Sequence, residues 1–398
     1  AGSAHEEVND LLMPILADAE QPIEIAAFAA LALGFVFVGT GNDAITEAIF
    51  GVLMEREEKD LSHTLTRFLP LALGFLFLGK QEAAESAVEA SKTLNPKIAQ
   101  YTELTIDTLA YAGTGNVLKV QELLKICGEH LEDGKDNKHQ GLATIGIALI
   151  AMGEELGSEM AVRSFDHLLQ YSDLSVKRAV PLAIGLLNVS NPQMAIMDTL
   201  SKLSHDADSE VSQGAILALG LIGAGSNNAR IAQLLRQLSS YYAKEANHLL
   251  IVRLAQGLLF MGKGLINLSP FYSDRTLMQP SALCGLLTLM HSALDLKNTI
   301  LAQYHYLLYT LSISMYPRML ITVDEEMNPL PVSVRVGQAV DTVAQAGRPK
   351  TITGFQTHNT PVILQHEDRA ELATEEYIPL TSVLEGVVIL KRNPDFEA

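Results

Sequence analysis

Residues 31–39 read LALGFVFVG and residues 71–79 read LALGFLFLG. The same pattern returns as DTLAYAG ending at Gly113, IGIALIAMG at Gly153, PLAIGLLNVS at Ser190, LALGLIGAG at Gly225 and LAQGLLFMG at Gly262. Successive end points lie 40, 34, 40, 37, 35 and 37 residues apart. So narrow a spacing over seven copies is the signature of a repeat array whose units stack to build one continuous core. Each period has room for two helices and two turns. The nonapeptide is apolar nearly all round, which predicts a fully buried inner helix. Its alanines and glycines allow close approach of neighbouring helices, and its last glycine suits a turn at positive φ.

An Asn or Asp then caps a second helix, as in GTGNDAITEAIFGVL (39–53) and GAGSNNARIAQLLRQL (223–238). This outer helix is amphipathic, with Ile45, Ile49 and Leu53 inward and Glu47 and Glu55 outward. The expected fold is therefore mainly α, an α-solenoid or toroid of helical hairpins over residues 4–300. A possible eighth copy, LCGLLTLMH around Gly285, is too degraded to count. GEHLEDGKDNKHQ (128–140) is charged and aperiodic and is read as a loop inserted between helices. After about Pro317 short β-branched runs separated by Pro, Gly and Asn predict a small β-rich domain, and residues 301–398 are assigned to it with its leading helix.

Composition narrows the function. The 398 residues carry 28 Lys plus Arg against 46 Asp plus Glu, a formal net charge of -18. Such a surface repels phosphate backbones, so no nucleic-acid partner is expected, and it favours partners with basic faces. The longest uncharged run, Ile25 to Asn42, is broken by three glycines, so no membrane span is read. Cys127 and Cys284 lie in apolar surroundings and read as buried free thiols. The first three residues, AGS, look like an appended tail, and the chain is read as a piece of something longer.

Three stretches imitate chemistry. Gly74–Lys80 and Gly257–Lys263 match the opening of a phosphate-binding loop, but their four middle residues are apolar and no Ser or Thr follows. Ser204–Glu210 gathers His205, Asp206, Asp208 and Glu210, which read as helix capping rather than a metal site. No catalytic set, metal or cofactor is expected. The outer carboxylates are the better candidates. Asp43, Glu47 and Glu55 fall on one face of their helix, and Glu82, Glu85 and Glu89 do so one repeat later. Glu6, Glu7 and Asp10 extend the acidic surface by one helix.

LALG-type helices with G-T/S-G-N turns resemble proteasome/cyclosome repeats. The stretches SHDADSEVS (204–212), VRLAQGLLFMGKG (252–264) and VRVGQAVDTVAQAGRPKTITGFQTHNTPVIL (334–364) are more specific. They resemble the family of the smaller of the two large non-ATPase scaffold subunits of the 26S proteasome base. The resemblance implies a non-enzymatic scaffold and receptor, found in cytoplasm and nucleus, that docks on the proteasomal ATPase subunits. It implies binding of ubiquitin and of the ubiquitin-like domains of shuttle factors through acidic outer helices, here Asp43, Glu47, Glu55, Glu82, Glu85 and Glu89, with Asp10 beside them. A deubiquitinase site would lie upstream of this chain. Two aspartates of the family's yeast member are replaced by Ala44 and Gly51. The alternative reading is a HEAT-type solenoid adaptor for transport or assembly, which predicts no β-rich cap and less glycine in the inner helices.

Overall fold

Every glycine-broken nonapeptide folds as a helix, and each is walled in by the next. The computed structural model describes residues 1–130, 138–273, 278–342, 345–365 and 368–396. Helix α1 (Glu6–Ala17) precedes the array, which begins with α2 (Ile23–Val36), α3 (Asp43–Glu55) and the single turn α4 (Glu58–Leu61). Buried and outer helices then alternate as α5 (Phe68–Leu76), α6 (Glu85–Ser91), α7 (Pro96–Ala110), α8 (Val117–Cys127), α9 (Lys138–Ala151) and α10 (Glu155–Tyr171). The series ends with α11 (Leu174–Leu187), α12 (Met194–Leu203), α13 (Ser209–Ile222), α14 (Ala229–Tyr241) and α15 (Ala246–Leu259). The odd-numbered helices from α5 onward, with α2 ahead of them, pack side by side in chain order. Outer helices lean on the buried helix of the following repeat, α8 on α9, α12 on α13 and α14 on α15.

Two glycine positions make the stacking possible. Within the helix, a Cβ on Gly220 would stand 2.7 Å from Ala255 Cα, and one on Gly185 would stand 3.0 Å from Ala218 Cα. Only glycine lets the backbones meet so closely. At the end of the motif, Gly39 (φ 65) and Gly41 (φ 65) donate their N–H groups to Phe75 O and Leu76 O, both at 2.9 Å. Gly113 and Gly115 do the same to Leu149 O and Ile150 O, and Gly225 to Leu258 O. The turn thus satisfies carbonyls that the last turn of the next buried helix leaves without a helical donor. Ser190 takes the same role at φ 56, donating to Leu221 O.

The degraded eighth copy is no repeat. It lies in α16 (Pro280–Ala293), where every residue from Ala282 to Ala293 is buried. This helix touches α5 and α11, two buried helices that are not neighbours in the row. Between those ends, His291 Nδ1 meets Tyr101 OH of α7 at 2.9 Å, and Leu294 lies beside Gly141 of α9. A helix that touches α5 and α11 across the α7 and α9 that separate them must lie across the concave side of the row, so α16 fills the inside of the arc. The 3₁₀ segment His305–Ser314 packs on it, with Ser314 Oγ donating to Ala282 O at 2.6 Å.

Of the loop read at 128–140, residues 131–137 lie outside the described residues. Its end is structured: α9 begins at Lys138, and the Gln140 side chain is buried, donating to Ile126 O (3.2 Å) and Glu129 O (2.6 Å). A polar side chain read as part of that loop is instead a cap for α8.

Beyond the array, strand β1 (Ile266–Asn267) pairs with β2 (Tyr316–Pro317), stitching the last repeat to the β-rich region. The strands β3 (Met319–Val323), β4 (Ser333–Thr342), β5 (Gln345–Asn359), β6 (Val362–Ile363), β7 (Asp368–Leu372), β8 (Tyr377–Pro379) and β9 (Val387–Arg392) follow. They form one sheet in the order β6-β3-β9-β8 and another in the order β5-β4-β7. Leu320, Val334, Leu364, Ala370, Val388 and Leu390 make a core of their own, apart from the helical core that ends at Leu311.

Candidate protein-interaction face

The acidic face starts from a cap. Asn42 accepts from Ile45 N–H at 3.2 Å and fixes the start of α3. From there Ile45, Ile49 and Leu53 turn inward and are buried. The 3.6-residue period then puts Asp43, Glu47 and Glu55 in solvent, with Ala44 exposed beside them and Gly51 half-buried. Helix α1 packs against both α2 and α3, and Asp10 is exposed on it. Leu11 is 70% exposed and Met54 57% exposed, so uncovered apolar groups stand on the helices that carry these carboxylates. Sequence reasoning named the acids and missed these two residues. Their signal is that each sits one position off the inward stripe, next to a buried or half-buried leucine.

One repeat later the arrangement is less regular. Glu82 lies on a 3₁₀ turn (Gln81–Ala84), and only Glu85 and Glu89 belong to α6, one α-helical turn apart. All three are exposed. The cause is local. Where the first repeat has Asn42 to cap α3, this one has Lys80 and Gln81, and Gln81 stands at φ 51. Without a capping side chain the first turn tightens. Glu89 is also engaged, by an ion pair with Lys92 whose ammonium pKa that hydrogen bond raises.

Elsewhere the mimics of chemistry resolve into packing. Both P-loop-like stretches begin inside the last turn of a helix, α5 or α15, where a phosphate loop needs a preceding strand. Among the described residues no group of three or more His, Cys, Asp or Glu could hold a metal ion. No described helix is long and apolar enough to cross a membrane. Cys127 and Cys284 are buried free thiols, and burial pushes the Cys127 thiol up to about 11. Asp208 caps α13, accepting from Glu210 N–H (3.0 Å) and Val211 N–H (3.1 Å). It also takes both arms of Arg178 from α11, at 3.1 and 2.8 Å. The Arg178 bonds hold the Asp208 carboxyl below its usual range. Its contribution to stability is therefore present at neutral pH and lost as pH falls through the carboxylate range. Asp208→Ala is expected to lower stability by about 1–2 kcal/mol, mostly through the lost cap. Urea unfolding at pH 7 checks it, and the deficit should shrink toward pH 3.

Comparison with known proteins follows the same division of the chain. The family described as proteasome/cyclosome repeat matches residues 214–246, which run from α13 through α14. The family described as 26S proteasome non-ATPase regulatory subunit RPN1 C-terminal matches residues 343–396. The chain is 58% identical over 390 residues to 26S proteasome non-ATPase regulatory subunit 2 homolog A of Arabidopsis thaliana, covering 98% of this chain and 44% of that protein. It is 56% identical over 395 residues to 26S proteasome non-ATPase regulatory subunit 2 of Dictyostelium discoideum, covering 99% and 44%. With 26S proteasome regulatory subunit rpn1 of Schizosaccharomyces pombe it shares 51% over 398 residues, covering 99% and 45%. The chain thus spans somewhat under half the length of these relatives. With more than half of its residues identical along nearly its whole length, a repeat array and the matching C-terminal region, this chain belongs to the family of 26S proteasome non-ATPase regulatory subunits of the RPN1 type.

Proposed function

We propose that this chain is a non-catalytic scaffold and receptor of the proteasome regulatory particle in cytoplasm and nucleus. It receives ubiquitin, or the ubiquitin-like domains of shuttle factors, on the outer helices α1, α3 and α6, and it docks on the ATPase ring. One observation carries the receptor reading: Asp10, Asp43, Glu47, Glu55, Glu82, Glu85 and Glu89 are all exposed, with Leu11 and Met54 uncovered on the first two of those helices. A ubiquitin-like surface is an apolar patch rimmed by Lys and Arg, and exposed carboxylates around exposed aliphatic groups are its complement. Exposed ion pairs are worth about 0–1 kcal/mol each, so the contact is roughly micromolar or weaker and fades with salt.

The test is an NMR titration of labelled ubiquitin, and separately of a shuttle-factor ubiquitin-like domain, with the chain. Shifts should be confined to the apolar and basic face of the ligand. Reversal of Glu47 and Glu55 to Lys, or of Glu82, Glu85 and Glu89 to Lys, should weaken binding about tenfold or more. Shifts that survive both reversals would move the site off these helices. A chain giving no shift with either ligand would leave the scaffold role alone.

A further inference from the structure

The last repeat reverses the charge of the chain. From Val211 to Gly264 the sequence holds five cations, Arg230, Arg236, Lys244, Arg253 and Lys263, against one carboxylate, Glu245, in a chain of net charge -18. All five cations are exposed, and none forms an ion pair among the described residues. Glu245 is itself engaged, 2.9 Å from Nδ1 of the buried His248. Helix α14 concentrates the effect. It carries Arg230 and Arg236 and no acid, where α3 carries Asp43, Glu47 and Glu55 and no base. Helix stability does not account for these arginines. Arg230 stands in the first turn, at the positive end of the helix dipole, where a cation is disfavoured. Around Arg236 the positions three and four residues away are Ala232, Gln233, Ser239 and Ser240, so the helix offers it no carboxylate.

Apolar groups stand among these charges. Arg230 Nη1 lies against the sulfur of Met194, which is 47% exposed on α12, and Tyr241 is 66% exposed at the end of α14. Tyr241 is steadied by edge contact with Tyr242, their ring centroids 4.7 Å apart, and Tyr242 stacks on His248 at 4.3 Å. An anchored, exposed ring beside unpaired guanidinium groups suits a chain that carries both carboxylates and apolar side chains. A nucleic-acid strand suits it less, because the acidic remainder of the surface repels a long polyanion and offers a short segment no such contact.

We propose that the outward face of α14 docks an acidic segment of a partner protein, its carboxylates pairing with Arg230, Arg236 and Lys244 and an apolar side chain packing on Tyr241. The probe is a fluorescently labelled, capped peptide of glutamates around one leucine and one phenylalanine, titrated with the whole chain at physiological salt. The Debye length there is about 8 Å, which screens distant carboxylates while contact pairs persist. Arg236→Glu should weaken binding about tenfold, and Tyr241→Ala about fivefold. Both side chains are exposed, so the urea midpoint should stay in place. Lys391→Glu, in the β-rich region where Lys391 pairs with Glu325 at 4.0 Å, changes the net charge as much as Arg236→Glu and should leave binding intact. A single-stranded oligonucleotide of equal charge should bind about tenfold more weakly than the peptide. No binding of the peptide, binding retained in Arg236→Glu, or an equal loss in Lys391→Glu would overturn the proposal. So would an oligonucleotide bound as tightly as the peptide, since charge alone would then select the ligand. Concentration-dependent self-association abolished by Arg236→Glu would overturn it too, because α14 would then belong to the acidic face of a second copy.

Discussion

Gly225→Ala is expected to cost about 3 kcal/mol or more, while Gly79→Ala, at the equivalent place four repeats of the motif earlier, costs about 1. Both glycines end a motif, both stand in the left-handed region (φ +63 and +72), and both donate to the next buried helix, to Leu258 O at 3.0 Å and to Leu109 O at 3.1 Å. Forcing alanine to positive φ costs the same at either site. What differs is space. A Cβ on Gly79 meets nothing within 4 Å, whereas one on Gly225 would stand 1.8 Å from Ile266 O. That oxygen belongs to β1, which is pinned by β2, so relief means moving the strand that ties the array to the β-rich region. Urea unfolding of the two variants checks this, and equal losses would show that conformational strain, not the backbone approach, sets the glycine. Amide exchange at Arg318, whose N–H donates to Leu265 O beside β1, should also quicken in Gly225→Ala alone.

That contrast also shows what a reader of the sequence could and could not see. The recurrence of LALG and a closing glycine is visible because stacking needs small residues at fixed places. Nothing in the motif says which glycines meet a backbone and which face open space. The same limit hid α16. LCGLLTLMH has the composition of a buried repeat helix, and local pattern cannot tell stacking at the end of the row from folding back inside it. The answer depends on curvature, the sum of small rotations set where Gly185 meets Ala218 and Gly220 meets Ala255. The β-branched runs after Pro317 announced strands, but their pairing joins residues far apart, such as Ile321 with Val387. At the acidic face, exposure of Asp43, Glu47 and Glu55 follows from the helical period alone. The 3₁₀ start before Glu85 also had a sequence sign, the missing cap at Lys80 and Gln81, which counting carboxylates passed over.

Because α16 fills the arc, its one buried imidazole makes the whole assembly acid-sensitive. His291 is 4% exposed and lies on α16 against α7. Its Nδ1 pairs with Tyr101 OH at 2.9 Å, and its Nε2 has no partner. Nearby, the buried Arg67 lies 3.8 Å from Asp295 and over the Tyr101 ring. Burial, reinforced by the Arg67 charge, pushes the His291 pKa down from 6.5 to about 3. The folded state therefore holds the ring neutral while the unfolded chain protonates it below about 6.5. Stability is complete above that pH and is lost as pH falls toward 3, on the order of 3 kcal/mol by pH 4. Carboxylates such as Asp208 add their own loss at lower pH, so the comparison must be between variants. Replacing Tyr101 and His291 together by Phe removes the titration and leaves no orphaned hydroxyl behind, at a cost near neutral pH of about 1–2 kcal/mol. Between pH 6.5 and 4 the double variant should then lose about 3 kcal/mol less than the parent. Denaturant midpoints across that range decide it: parallel curves would mean that acid acts elsewhere, and that the imidazole in the arc finds a way to carry its charge.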